Sequence, residues 1–175
     1  REKLNPTGYK PNVVHKTLAL MEEKKLLSSI ITQNIDGLHE MAHSKNVLNL
    51  HGTVYSNTCT KCHKKYDLKY VLESKEIPLC SCGGIIKPDV VLYEEPLDYE
   101  TLDKAINEIK SAEALIIGGT SLLVYPAASL INYFNGKHII LINKEETKSD
   151  YKADIVIHDK LGNVFKKIKD AITNL

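Results

Sequence analysis

The stretch Ala114-Leu115-Ile116-Ile117-Gly118-Gly119-Thr120-Ser121 decides the fold. A short aliphatic run, too brief for a helix, breaks into two glycines and two hydroxyl residues, which reads as a buried strand ending in a polar loop. Open α/β sheets place their ligands at such strand ends. The same grammar recurs on either side. Ser28 to Thr32 offers Ile30-Ile31 before the polar stretch Gln33-Asn34-Ile35-Asp36-Gly37, and His138 to Ile142 runs into Asn143-Lys144. Asp154 to Ile157 is a fourth strand. Helical spacing separates them: Val14, Leu18 and Met21 within Pro11 to Leu27; Leu102, Ile106 and Ile109 within Tyr99 to Lys110; and Val164, Phe165, Ile168 and Ile172 within Gly162 to Ile172. Pro126 suits the first turn of a further helix reaching Phe134. Alternating strands and helices predict an α/β fold, a parallel sheet covered by helices on both faces.

The chain has 175 residues, enough for one main core and a small appendage. With 23 basic against 22 acidic side chains, the balance carries no broad attraction for nucleic acid or anionic lipid. The 43% hydrophobic content is ordinary for a globular chain and disfavours disorder. No apolar run approaches the roughly 18 residues of a membrane span. Only four cysteines occur, in two close pairs that suit a metal better than a disulfide framework. Cysteines used in this way make a reducing, cytoplasmic setting the expectation.

Residues 55–84 break the strand-helix pattern, being polar, lysine-rich and cysteine-bearing, and read as an inserted module. Within them Cys59-Thr60-Lys61-Cys62 and Cys80-Ser81-Cys82 supply four thiolates, a complete tetrahedral set for Zn2+. The second pair is one residue tighter than the usual C-x2-C knuckle, and His63 is a weaker candidate for one position. A zinc with every position filled by protein has no place for a reacting water, so its role is structural.

Other residues are ambiguous one by one. Gly118-Gly119-Thr120-Ser121 suits a phosphate or ribose, but also a tight strand-to-helix turn. Asn143 suits ribose hydroxyls or a capping role. His51 could be a packed imidazole, and Asn34 and Asp36 could be turn formers before Gly37.

Their order along the chain changes the odds. Thr32-Gln33-Asn34-Ile35-Asp36-Gly37-Leu38-His39, Leu50-His51-Gly52, the four cysteines, Pro88-Asp89-Val90-Val91, Gly119 to Pro126 and Ile142-Asn143-Lys144 together resemble the sirtuins, from Pro11 to the last helix. The resemblance implies a Rossmann-like NAD-binding domain, here residues 1–54 and 85–175, interrupted by the zinc-binding module. It also implies NAD-dependent removal of acyl groups from lysine side chains of proteins or peptides, giving nicotinamide, free lysine and 2′-O-acyl-ADP-ribose.

On this resemblance Gln33, Asn34, Ile35 and Asp36 line the nicotinamide and ribose pocket, with Asp36 holding the carboxamide. His51 is the general base, a task that an imidazole mostly neutral at pH 7 can perform. Gly119, Thr120 and Ser121 contact the dinucleotide, and Asn143 with Lys144 face its adenosine end. The substrate peptide is expected to add as a strand between two loops, Val91, Tyr93, Glu94 and Glu95 on one side and Leu122 to Val124 on the other.

Two departures stand out. The usual Phe-Gly-Glu of the substrate loop reads Tyr93-Glu94-Glu95, which puts an acidic residue at a glycine position and favours basic flanks on the substrate. The family's glycine-rich first strand-turn-helix and its cofactor-binding loop match no segment of the 175 residues. The chain thus corresponds to the C-terminal part of the sirtuin domain, and these residues by themselves are expected to bind NAD poorly and to turn over no substrate. Two other activities compete: mono-ADP-ribosyl transfer, disfavoured by His51, and a zinc-stapled binding module without turnover.

Overall fold

A computed structural model describes residues 5–120 and 127–174. The elements are α1 (Val13–Glu23), β1 (Ile30–Thr32), α2 (Leu38–Met41), β2 (Val47–Asn49), β3 (Gly52–Cys59), β4 (Lys65–Asp67), α3 (Leu68–Glu73), β5 (Ile86–Val90), α4 (Tyr99–Ser111), β6 (Ala114–Gly118), β7 (His138–Asn143), β8 (Ile155–His158) and α5 (Leu161–Thr173). Strands β6, β7 and β8 pair in parallel in that order, with Gly118 opposite Ile142. β1 and β2 form a second parallel pair, Thr32 opposite Asn49.

Side chains alternate across a strand, so successive residues serve opposite faces. In β6, Leu115 joins the core of Leu50, Leu97, Ala105, Ile109 and Leu130. Its neighbour Ile116 joins the core of Met21, Ile142, Phe165 and Ile172 on the other face. The first core takes its helical cover from α4 and the second from α1 and α5, which gives the expected covered parallel sheet.

Local chemistry sets the helix ends. The Asn12 side chain accepts from the Val14 amide at 2.8 Å, starting α1. Asp98 does the same for Thr101 at 2.8 Å, starting α4. Residues Ala127–Tyr133 wind as a 3-10 helix instead of the expected α-helix. They carry Leu130 into the first core beside Ala105 and Ile109 of α4.

A third, antiparallel sheet in the order β4-β3-β5 crosses the middle of the chain. Its side chains around Cys59, Cys80 and Ile86 make a small separate core. The alternation of GTVYSNTC in β3 is too weak to announce a strand, and three-residue strands carry little pattern.

Candidate functional site

His51 follows β2 and precedes β3, where the chain turns from one sheet into the other. The turn depends on Gly52 at φ +74, because a Cβ there would lie 2.0 Å from the carbonyl oxygen of Asp89. With the backbones this close, the Val91 amide donates to the His51 carbonyl at 3.0 Å. The His51 ring lies 3.0 Å, through Nδ1, from the Gln33 carbonyl. A carbonyl only accepts, so Nδ1 carries a proton, and in the tautomer this selects Nε2 keeps the lone pair.

The loop after β1 is tied down by its own backbone and short side chains. The Asn34 amide donates to Thr32 Oγ1 at 3.1 Å, the Leu38 amide to Asp36 Oδ1 at 3.0 Å, and the Val54 amide to the Ile35 carbonyl at 3.2 Å. Gly37, at φ +67, lies so close to the Tyr55 ring that a Cβ would come within 2.6 Å of it. Gln33, Ile35, Asp36 and His51 therefore belong to one bonded unit with Val91, and Leu50 and Val91 seat it on the first core. Below it the imidazoles of His15 and His39 meet at 4.7 Å between ring centres. Burial pushes both pKa values down, opposed by the negative charge of Asp36.

Gly119, at φ +64, donates its amide to the Ile142 carbonyl at 3.1 Å, next to Asn143 at the end of β7. This joins the Gly119-Thr120 loop to the Asn143-Lys144 end. The Asn143 Nδ2 donates to the Glu145 carbonyl at 2.8 Å, so its side chain braces its own turn and keeps Oδ1 for another partner. Lys144 is exposed. Ser121, Leu122 and Val124 lie outside the described residues.

The residues expected to receive the substrate peptide form a tight turn. The Glu95 carboxylate accepts from the Leu92 amide at 3.0 Å and from Lys87 Nζ at 2.9 Å, and these contacts, the amide first, hold its pKa below the usual carboxylate range. Glu94 occupies the left-handed region at φ +70, and Tyr93 is fully exposed.

All four cysteine sulfurs lie within 4.8 Å of one another, with Cys59 to Cys82 and Cys62 to Cys80 at 3.5 Å. Four sulfurs at roughly 2.3 Å from a tetrahedral zinc would be about 3.8 Å apart, so the set fits the ion. The cluster gathers the four cysteines without His63. Its electrostatics ask for a cation. The Cys82 amide and the Tyr66 hydroxyl, 3.0 Å from Cys80 Sγ, pull the Cys80 thiol down to about 5. The Lys64 amide favours the Cys62 thiolate, yet the neighbouring sulfurs outweigh it and push that thiol up to about 12. Four thiolates can share this space only around a positive ion.

The short Cys80-Ser81-Cys82 knuckle closes because Gly83 takes φ +78 and Gly84 has no side chain, a Cβ there coming 2.6 Å from Cys59 Sγ. Glycine after the last cysteine was a readable signal for this packing. Nothing in the sequence marks the Tyr66 hydroxyl as a partner of Cys80.

Comparison with known proteins places this architecture. A family model described as the Sir2 family matches residues 1–126, and the chain belongs to that family. An NAD-dependent protein deacetylase of Clostridium perfringens is 58% identical over 172 residues, which are 97% of this chain and 70% of that protein. One of Clostridium tetani is 50% identical over 174 residues, covering 98% and 70%. Among solved structures, a Sir2 complex with a p53 peptide and NAD+ superposes with a TM-score of 0.90 at 36% identity, over 97% of this chain and 73% of that one. A Sir2 complex with 2′-O-acetyl-ADP-ribose and a deacetylated p53 peptide gives the same TM-score at 37% identity. Among the described residues no helix is long and apolar enough to cross a membrane.

Proposed function

We propose that the protein is an NAD-dependent protein lysine deacetylase of the cytoplasm, with His51 as its general base. The observation that carries this reading is the bond from His51 Nδ1 to the Gln33 carbonyl, which leaves Nε2 as the proton acceptor beside the loop assigned to NAD. Gln33, Asn34, Ile35 and Asp36 bind the nicotinamide end, Gly119, Thr120 and Ser121 the dinucleotide, and Asn143 with Lys144 the adenosine end. Val91, Tyr93, Glu94, Glu95 and Val124 receive the peptide backbone of the substrate. NAD supplies an electrophilic ribose carbon on loss of nicotinamide. The protein's part is to hold the ribose and acyl-lysine in register, and to take a proton at His51 Nε2.

Cys59, Cys62, Cys80 and Cys82 hold zinc as a structural ion, residues 55–84 forming its module and residues 1–54 with 85–175 the NAD-binding domain. The clustered reduced thiols support a cytoplasmic setting. The relatives named deacetylase, at up to 58% identity, support the activity. Incubating the intact protein, and not these 175 residues by themselves, with NAD and an acetyl-lysine peptide should release nicotinamide and 2′-O-acetyl-ADP-ribose in equal amounts by mass spectrometry. ADP-ribose attached to protein, with the acetyl group still on lysine, would show transferase chemistry instead.

A further inference from the structure

The two halves of the cysteine cluster differ in what donates to their first sulfur. In the Cys59-Thr60-Lys61-Cys62 knuckle the amides two and three residues on, those of Lys61 and Cys62, both point at Cys59 Sγ, at 3.4 and 3.5 Å. The Cys80-Ser81-Cys82 knuckle is one residue shorter, and it loses one of these donors. The Cys82 amide still donates to Cys80 Sγ. The next amide, that of Gly83, is turned away to the Cys80 carbonyl at 2.8 Å. A side chain stands in its place: the Tyr66 hydroxyl lies 3.0 Å from Cys80 Sγ, with the Ser81 hydroxyl more distant at 3.9 Å.

Backbone and ring contacts hold this hydroxyl where it is. Tyr66 lies in β4 opposite Asn57 of β3, and the buried Asn57 Nδ2 donates to the Tyr66 carbonyl at 3.5 Å and to the Val54 carbonyl at 3.2 Å. The Tyr70 ring of α3 packs on the Tyr66 ring at 4.6 Å between centres, and the Tyr70 hydroxyl donates to the Leu79 carbonyl at 2.8 Å, one residue before Cys80. Two phenols thus grip the short knuckle, one on the ligand sulfur and one on the backbone leading to it. We propose that Tyr66 is a positioning residue of the zinc site, its hydroxyl replacing the amide donor that the short knuckle lacks. A hydroxyl that donates to a metal-bound thiolate disperses its charge and fixes its direction, which is how partners outside the ligand set tune a metal site. The proposal rests on the reading of the four cysteines as a zinc site and is independent of the deacetylase reading.

The test is a chelator competition on the zinc-loaded intact protein and on its Tyr66→Phe variant, which keeps the ring and its packing on Tyr70. Tyr66→Phe should bind zinc about 10- to 100-fold more weakly, the usual cost of losing such a partner. Cobalt in place of zinc gives a readout that packing alone would not move. Without its donor the Cys80 sulfur gives up an electron more readily, so the thiolate-to-cobalt charge-transfer band should shift to lower energy. Tyr70→Phe loses the bond to the Leu79 carbonyl, keeps the donor on the sulfur, and should leave the band in place. Placing 3-fluorotyrosine at position 66 strengthens the donor and should move the band to higher energy, which preserves the test if Tyr66→Phe does not fold. Equal zinc affinity of parent and Tyr66→Phe, or a band unmoved by either replacement of Tyr66, would overturn the proposal. A parent that binds no zinc would overturn the metal reading, and the proposal with it.

Discussion

At His51 the backbone determines what the ring can do. The Gln33 carbonyl accepts a hydrogen bond from Nδ1–H, and the loop that supplies this carbonyl is held by Thr32 and Val54. In the intact protein His51→Ala should lower deacetylation by about 10²- to 10⁴-fold, the usual contribution of a positioned base. NAD binding and the unfolding midpoint should stay near those of the parent, because the His51 backbone bond to Val91 survives the change. Steady-state kinetics beside a calorimetric NAD titration check both halves, and a mutant as active as its parent would remove His51 from the mechanism. Glu94 carries a different kind of residue-scale prediction. A left-handed conformation costs a non-glycine residue about 1–2 kcal/mol, partly offset by the entropy that glycine loses on folding. Glu94→Gly should therefore stabilise the protein by up to about 1 kcal/mol in urea unfolding. It also removes an exposed negative charge from the substrate loop, so preference for Lys- or Arg-flanked peptides should fall, most visibly at low salt. Identical responses of basic and neutral peptides would show that the acidic loop does not select substrate. The Tyr-Glu-Glu departure was legible in the sequence. The glycine that Glu94 replaces also pointed to an unusual backbone angle there, and the structure supplies its value, φ +70.

Among the elements, β3 and β5 do most to connect chemistry with framework, because Gly52 and Val90 at one end of their pairing lie beside His51, and Cys59 and Ile86 at the other belong to the small core around the cysteines. Asp89 ties the sheet together. Its carboxylate accepts from Ser56 and Thr58 of β3, at 2.5 and 2.6 Å, and from Lys65 of β4 at 2.8 Å. Burial by itself would raise the Asp89 pKa, but these three donors outweigh it and hold the value below the ordinary carboxylate range. A depressed pKa means stability that is present above the unfolded value, near 3.9, and lost as pH falls through the folded one. Asp89→Asn should cost about 1–2 kcal/mol at neutral pH, the difference shrinking below about pH 4 as the native carboxylate is protonated. Chemical denaturation of parent and variant from pH 7 to pH 3 measures this, and a difference independent of pH would show that the charge contributes nothing. The strands β6, β7 and β8 were readable because each is an aliphatic run of nearly full strand length. β4 and β5 were not, because they are held by partners such as Asp89 and Lys65 and not by any pattern of their own, and the three residues of β2 are too few to show one.

For the whole molecule, the two large cores and the small cysteine core respond separately to loss of metal. The first two are closed by α1, α4 and α5 around the parallel strands and contain none of the cysteines. The third holds only Cys59, Cys80 and Ile86 as its buried members. Zinc in small modules supplies roughly 10–16 kcal/mol of apparent binding energy, far more than so small a core can replace. Chelation should therefore abolish hydrogen-exchange protection across residues 55–84 while β6, β7 and β8 keep theirs. Elemental analysis should find one zinc per chain, and less than half an equivalent in carefully prepared protein would count against the site. The sequence by itself determined the covered parallel sheet, the four-cysteine ligand set and the family, because each rests on spacing: aliphatic runs between helical periods, paired cysteines, and TQNIDGLH followed by LHG. Only the tertiary structure decided which neighbour each functional group meets. The proton on His51 Nδ1 and the thiols of Cys80 and Cys62, held at about 5 and about 12, depend on carbonyls, hydroxyls and sulfurs from distant segments. Hydrogen bonds and charge interactions act over a few ångströms in space, and separation along the chain does not report that distance.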